Sequence, residues 1–145
     1  MAMESEFRNL VVWQRAMDLA DQIYDAAALL PKDERFVLSQ QMRDSALSIP
    51  ANIAEGKGRW SVREYRQFVR HARGSALELQ SHILFAERRH YFERELAEQL
   101  IALNEDVVCK LNALIRYLNR RAGKPPRPTT NDQRPTTAPP VTSHP

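Results

Sequence analysis

Basic residues recur at helical spacing in the middle of this chain. Steps of four, three, four and three residues place five arginines on one face of a helix, and a lysine comes just before them: Arg59, Arg63, Arg66, Arg70 and Arg73 (the arginine stripe), and Lys57. Between Gly56 and Arg73 the chain has six basic residues and one acidic residue. Arginines aligned in this way can neutralise successive phosphates, so the stripe is a candidate nucleic-acid-binding face.

The same arginines could instead form ion pairs within the protein. Acidic residues on the two preceding predicted helices could supply the partners: Asp18, Asp21, Asp25 and Asp44. Because rows of charge are common on solvated helices, the sequence leaves the structural and the nucleic-acid interpretations equally open. Net charge does not decide between them. It is +3, of which residues 124–145 contribute +2 (three basic residues against one acidic), leaving +1 for the rest.

Residues that could catalyse a reaction or bind a metal do not form a recognised set. The histidines are His71, His82, His90 and His144. Glu87 and His90 have the spacing of one half of a di-iron site in a helical bundle, but such a site needs a second motif of this kind and two further carboxylates. Cys109 lies among apolar residues and is predicted to be a small buried side chain. We therefore predict no enzyme activity, no metal and no cofactor.

Apolar residues recur every three or four positions in four segments, which predicts four amphipathic helices. They cover residues 10–30, 35–55, 61–89 and 93–121, and the third begins with a capping box in which Ser61 bonds the N–H of Glu64. The short connections predict an all-α, antiparallel up-down-up-down four-helix bundle over residues 7–122. Residues 123–145 are rich in proline and threonine and are predicted to form a disordered tail.

The fourth helix has an unusually wide apolar face. One row of apolar residues is predicted to point into the bundle and a second row lies beside it: Leu96, Leu100, Leu103, Val107, Leu111, Leu114 and Leu118, then Ile101, Val108 and Ile115. A monomeric bundle needs a narrower face than this, so the pattern predicts self-association.

Length and composition indicate a soluble protein of one domain. No apolar run approaches the roughly 18 residues that span a bilayer. The first six residues are acidic and lack the apolar stretch of a signal peptide. The single cysteine cannot form an internal disulfide. We therefore predict a cytoplasmic protein with no membrane partner.

The second helix is organised around residues 48–56. Pro50 has no N–H, so the carbonyl of Ala46 loses its helical partner and a bend is expected there. Polar side chains also form a line along this helix: Gln41, Ser45, Ser48, Asn52 and Glu55. This line predicts either a solvent-exposed surface or a polar seam between helices or subunits.

Two further positions are assigned structural roles. Glu55 lies in the last turn of the second helix, where its charge opposes the helix dipole and needs a cation such as Arg59 or Arg66. Gly74 interrupts the third helix, where glycine costs about 1 kcal/mol relative to alanine. We therefore expect Gly74 to lie against another backbone, that of the second helix.

Three segments resemble a family of small bacterial four-helix-bundle proteins. They are residues 7–16 (FRNLVVWQRA), residues 48–56 (SIPANIAEG) and a pattern on the third helix: Phe68, Ala72, Gly74, Ser75, Leu77 and Glu78. The family is associated with intervening sequences in large-subunit ribosomal RNA genes. It is distantly similar to accessory proteins of diversity-generating retroelements, which bind RNA and a reverse transcriptase. The resemblance spans residues 7–120 and implies an all-α protomer that assembles as a ring, a homopentamer, with no established enzyme activity.

Two functions fit these observations. The first is a non-catalytic oligomeric protein that binds RNA or DNA through Lys57 and the arginine stripe, as an accessory to a partner enzyme such as a reverse transcriptase. The second is an oligomeric scaffold ring that binds a protein and no nucleic acid. In both, residues assigned to folding and assembly are Ser48, Pro50, Asn52, Glu55, Gly56 and Gly74.

Overall fold

The computed structural model describes residues 6–123, whose regular structure is helical throughout. Four α-helices follow one another: α1 (Val11–Ala27), α2 (Leu38–Lys57), α3 (Val62–Arg88) and α4 (Arg94–Ala122). Short 3-10 turns precede the first two at Phe7–Asn9 and Lys32–Glu34. The predicted helix ends agree with these bounds to within three residues. The predicted tail, residues 123–145, lies outside the described residues apart from Gly123.

The four helices close on one another around a single core. Each packs against the helix before and after it, and α4 also packs against α1. Because short connections join consecutive helices, neighbours run in opposite directions, and the predicted up-down-up-down bundle is confirmed. The largest fully buried apolar side chains come from all four helices: Leu19, Ile23, Met42, Ile49, Ile53, Leu79, Ile83, Leu100 and Leu111. Within residues 6–123, none of the helices has both the length and the apolarity that crossing a bilayer requires.

Local sequence sets both ends of α3. The hydroxyl oxygen of Ser61 accepts the N–H of Glu64 at 3.1 Å, as predicted, and its O–H points to the Glu64 carboxylate at 3.2 Å. At the other end, His90 takes a left-handed conformation with a φ of 61°, and the N–H of Tyr91 donates to the carbonyl of Ala86 at 2.9 Å. These caps define the length of the helix that carries most of the arginine stripe.

Gly56 is where α2 and α3 come into close contact. A Cβ atom built at this position would lie 2.8 Å from the Cβ of Phe68 and 3.2 Å from the backbone oxygen of Tyr65. Both distances are shorter than ordinary van der Waals contact, so glycine alone lets the two helices pack this closely. The helix continues to Lys57 and is capped by Gly58.

The middle part of the polar line on α2 lies between helices. The hydroxyl oxygens of Ser48 on α2 and Ser75 on α3 are 2.8 Å apart. The Nδ2 of Asn52 donates to the carbonyl of Ser48 at 2.7 Å and to its hydroxyl at 3.0 Å. Gln41 and Glu55, at the two ends of the line, are exposed. Ser48 therefore joins α2 to α3, and Asn52 supports it from within α2, whereas the ends of the line face solvent.

The helix α2 continues through Pro50, which is buried. Two side chains near it satisfy backbone carbonyls: the hydroxyl of Ser45 donates to Met42 at 3.1 Å, and Asn52 donates to Ser48 as described above. Neither bond reaches Ala46, the residue whose carbonyl loses its partner at the proline. The carbonyl of Ala46 therefore receives neither bond, and the bend at Pro50 stays a prediction.

The prediction that Gly74 lies against the backbone of α2 is wrong within the described chain. A Cβ atom added there would meet nothing within 4 Å, and the residue is exposed on α3. Ala76, two positions further on, is fully buried. Because two residues correspond to a rotation of about 200° around a helix, the two positions face opposite sides. Leucine is therefore expected to disturb the fold at Ala76 and not at Gly74.

One of the two predictions about α4 needs correction. Cys109 is exposed, not buried, because it lies on the side of the helix that faces away from the core. The second apolar row, Ile101, Val108 and Ile115, is partly buried against the core, since α4 packs against both α1 and α3. The wide apolar face therefore contributes to packing within one chain, and the self-association that it predicts stays a prediction.

Candidate nucleic-acid interface

Three members of the arginine stripe project from the outer side of α3. Arg63, Arg70 and Arg73 are exposed and fall within an arc of about 80° around the helix axis. Among residues 6–123, none of the three forms an ion pair. Their charges are therefore available to a partner outside the described chain.

The acidic residues that could have paired with the stripe do not do so in the described part of the chain. Its ion pairs are Glu6–Lys57, Glu55–Arg59, Glu98–Arg94 and Asp106–Lys110, and His82 lies 3.4 Å from Glu78. The aspartates of α1 and α2 that the structural interpretation required are not among them: Asp18, Asp21, Asp25 and Asp44. The geometry therefore does not favour an intramolecular role for Arg63, Arg70 and Arg73.

Arg59 is held in place by two contacts. Its Nη2 lies 2.8 Å from Oε1 of Glu55, and its guanidinium carbon lies 4.8 Å from the centre of the Phe68 ring. Of the two cations considered for Glu55, Arg59 is therefore the one that the structure places there. The ion pair and the cation–π contact orient this arginine across the α2–α3 connection.

Lys57 also has local partners. Its Nζ lies 3.9 Å from Glu6 and 5.8 Å from the centre of the Tyr65 ring. Burial raises the pKa of the Tyr65 phenol to about 12, with smaller contributions from Glu6 and Tyr117. Tyr65 is therefore uncharged at neutral pH, and it supplies an aromatic surface beneath the lysine rather than a negative charge.

The helix α4 extends the basic surface. The Nη1 of Arg66 donates to Oδ1 of Asn119 at 3.2 Å, which brings the last turns of α4 next to the arginine stripe. Arg116 is exposed and lies three residues before Asn119, so it shares that side of α4. Arg120 also lies in the last turn. The sequence alone could not show that these arginines adjoin the stripe, because only packing brings α3 and α4 together.

Trp60 is the most exposed large apolar side chain among the described residues, at 99% of its maximum. It lies in the connection between α2 and α3, at the shared edge of two clefts of about 300 and 400 Å³. The first cleft has apolar and aromatic lining residues and three cations: Leu10, Tyr65, Leu114, Tyr117 and Leu118, with Lys57, Arg59 and Arg121. Periodicity could not identify Trp60, because one aromatic residue in a connection belongs to no pattern.

The outer side of α3 changes character along its length. Beyond the arginine stripe, Leu77, Leu84 and Phe85 are 49%, 46% and 50% exposed. Leu77 lies seven residues after Arg70 and Leu84 seven after Leu77, so both continue the same side of the helix. The first half of this side is therefore basic, and the second half carries three large, half-exposed apolar side chains.

The histidines in the described residues make only local contacts. His82 lies 3.4 Å from Glu78, and His71 lies 3.4 Å from Gln67, each within one turn of α3. His90 is exposed in the connection to α4. Within residues 6–123, no three histidine, cysteine, aspartate or glutamate side chains converge as a metal site would require.

These features define the class of the protein as an all-α four-helix bundle with one basic outer surface. The model of the family described as 23S rRNA-intervening sequence protein matches residues 8–113. The chain belongs to this family, and the resemblance noted from the SIPANIAEG segment is confirmed.

A solved structure shows the same fold. The crystal structure of a protein with unknown function from the S23 ribosomal protein family of Bacteroides thetaiotaomicron VPI-5482 aligns with a TM-score of 0.69 and 25% sequence identity. The alignment covers 73% of this chain and 99% of that chain. No curated protein matches the chain.

Proposed function

We propose that this protein is a non-catalytic, cytoplasmic homo-oligomer that binds RNA through the arginine stripe. The observation that carries the proposal is that Arg63, Arg70 and Arg73 are exposed on one side of α3 and form no ion pair within residues 6–123. Exposed cations without intramolecular partners lose little on contacting a phosphate backbone, because no ion pair must first be broken.

RNA is preferred over DNA as the ligand because of the family to which the chain belongs. The family is described as 23S rRNA-intervening sequence protein, and this description refers to an RNA. Phosphate contacts position a nucleic acid without reading its sequence, so binding through the stripe depends on charge and on shape. A ring would repeat the stripe once per subunit and combine weak contacts into useful affinity. The resemblance to retroelement accessory proteins further suggests that the complex assists a partner enzyme such as a reverse transcriptase.

Changing Arg63, Arg70 and Arg73 together to glutamine is expected to weaken RNA binding while folding stays intact. The three side chains are exposed, so their charge contributes little to stability. Each phosphate contact that is lost lowers the number of counterions released. The slope of log affinity against log salt should therefore flatten by about 2 for single-stranded RNA. Fluorescence anisotropy with a labelled RNA over a salt series measures both the affinity and the slope.

A second triple variant, with Arg35, Arg88 and Arg89 changed to glutamine, is the matched control, because these arginines are also exposed and form no ion pair within residues 6–123. It removes the same charge from the opposite end of the bundle. It should bind RNA nearly as tightly as the parent. An equal loss in both variants would show that net charge, not the stripe, determines binding. No affinity in the parent at low salt would rule out the proposal.

The exposed apolar side chains on the outer side of α3 support the second candidate function, an oligomeric scaffold. Leu77, Leu84 and Phe85 are about half exposed on neighbouring turns, and a surface of this kind favours burial between subunits. The family resemblance supplies the number five. Light scattering at micromolar concentration should therefore give the mass of a ring, and a stable monomer would exclude both the ring and the scaffold. If the ring forms but binds no RNA, the scaffold function is the one supported.

A further inference from the structure

The position of Trp60 is unusual because its neighbours are well held. Arg59 is anchored by Glu55 and by the ring of Phe68, and Ser61 caps α3 through the N–H of Glu64. The connection between α2 and α3 is therefore restrained on both sides of the tryptophan. Even so, the indole is 99% exposed, so it contributes almost no packing to the fold.

The surroundings of Trp60 combine apolar surface with positive charge. The two clefts beside it are lined by aromatic and apolar groups that include Phe7, Tyr65 and Tyr117. Lys57 and Arg59 line both clefts, and Arg121 lines the first. Glu6 is the acidic residue in these linings, and it already lies near Lys57. A ligand that fits here has a flat apolar part and a negative charge close to it.

An unpaired nucleotide has this composition. Its base has an apolar face that stacks on an indole, and its phosphate carries the charge that lysine and arginine attract. In an RNA duplex the bases are stacked on one another, and their faces cannot reach an exposed ring. A protein partner would lack the repeated negative charge that the neighbouring arginine stripe favours.

We propose that Trp60 stacks against an unpaired base, so that the RNA bound by this protein is single-stranded or looped at the α2–α3 connection. This inference rests on the proposed RNA-binding function. The arginine stripe contacts phosphates along α3, and Trp60 contacts a base at the end of that stripe. The protein therefore distinguishes unpaired from paired RNA without reading a sequence, since every base offers a face for stacking.

The test compares a short single-stranded RNA with a duplex of the same length. It also uses a set of single strands of that length, each of which lacks the base at one position, a different position in each strand. The parent should bind the single strand more tightly than the duplex. The Trp60→Ala variant should lose about 5- to 100-fold in affinity for the single strand, the range that one stacked base supplies, with its salt slope unchanged. Trp60→Phe should retain most of the affinity. One of the abasic strands should bind the parent about as weakly as the intact strand binds Trp60→Ala.

Phe36→Ala is the matched control, because Phe36 is 78% exposed and lies at the other end of α2. It should bind the single strand as the parent does. If the parent binds single strand and duplex equally and Trp60→Ala matches it, the stacking role is overturned while RNA binding stands. If the parent binds neither RNA, the proposed function fails and this inference fails with it. If Trp60→Ala changes the mass measured by light scattering, Trp60 is a subunit contact and the stacking role is overturned.

Discussion

The Asn104→Asp variant is expected to unfold at a much lower urea concentration than the parent at neutral pH. Asn104 on α4 is fully buried, and its Nδ2 donates to the backbone carbonyl of Ala76 on α3 at 2.8 Å. A carboxylate has no N–H to donate, so the substitution would bring its oxygens against that carbonyl oxygen. An uncompensated buried charge costs about 3–5 kcal/mol, a large part of the stability of a small bundle.

The pH dependence of this variant has a definite sign. Burial disfavours the charged carboxylate, so the pKa of the introduced group is higher in the folded than in the unfolded chain. The folded state of the variant therefore gains relative stability as pH falls through the folded pKa toward the unfolded pKa, and loses it as pH rises through the folded pKa. Urea unfolding followed by circular dichroism at pH 5 and pH 7 should show a smaller difference from the parent at the lower pH.

Asn104→Leu is the control, because leucine is similar in size and carries no polar atom. The Oδ1 of Asn104 is buried without a hydrogen-bond partner in the described residues, and such an atom costs about 1–3 kcal/mol. Leucine removes this cost together with the hydrogen bond to Ala76, so the variant should be as stable as the parent or more so. Stability of Asn104→Asp equal to that of the parent would mean that water reaches this position.

Periodicity predicted the helices and most of the core because burial on one side of a helix leaves a direct mark in sequence. It was less accurate in predicting which residues at the edges of each buried side are themselves buried. Phe68 belongs to the apolar spacing of the third predicted helix and yet is only partly buried, whereas Val69, next to it, is fully buried. A difference of one residue corresponds to a rotation of about 100°, and how far each helix is rotated depends on its neighbours. Cys109 was misplaced for the same reason.

The candidate site was predicted only in part, also for a physical reason. The arginine stripe follows from spacing within one helix, and the structure confirms that Arg63, Arg70 and Arg73 share one exposed side. Their lack of acidic partners could not be predicted, because an ion pair depends on which helices are adjacent. Arg116 and Trp60 were missed because their relation to the stripe arises from packing between α3 and α4 and from the α2–α3 connection.

The Gly56→Leu and Gly74→Leu variants are expected to shift stability in opposite directions. At Gly56 even a Cβ atom would lie 2.8 Å from the Cβ of Phe68, and a leucine must push α2 and α3 apart. Overpacking of this kind costs about 3 kcal/mol. At Gly74 an added Cβ meets nothing within 4 Å, and leucine is a better helix former than glycine by about 0.5–1 kcal/mol. Urea unfolding of the two variants and the parent measures both changes.

Equal destabilisation by the two substitutions would contradict the different surroundings of the two glycines. If Gly74→Leu is more stable than the parent and Gly56→Leu less stable, the glycine at position 74 lowers the stability of α3 and improves no packing within the described chain. A gain from glycine at this position would then come from a molecule that approaches α3 from outside. Gly74 lies four residues after Arg70 and so beside the arginine stripe, where the absence of a side chain lets a phosphate backbone come close. We therefore expect Gly74→Leu to fold at least as well as the parent and to bind RNA more weakly. Unchanged RNA affinity would place the approaching molecule elsewhere, at a neighbouring subunit, and the mass measured by light scattering should then fall.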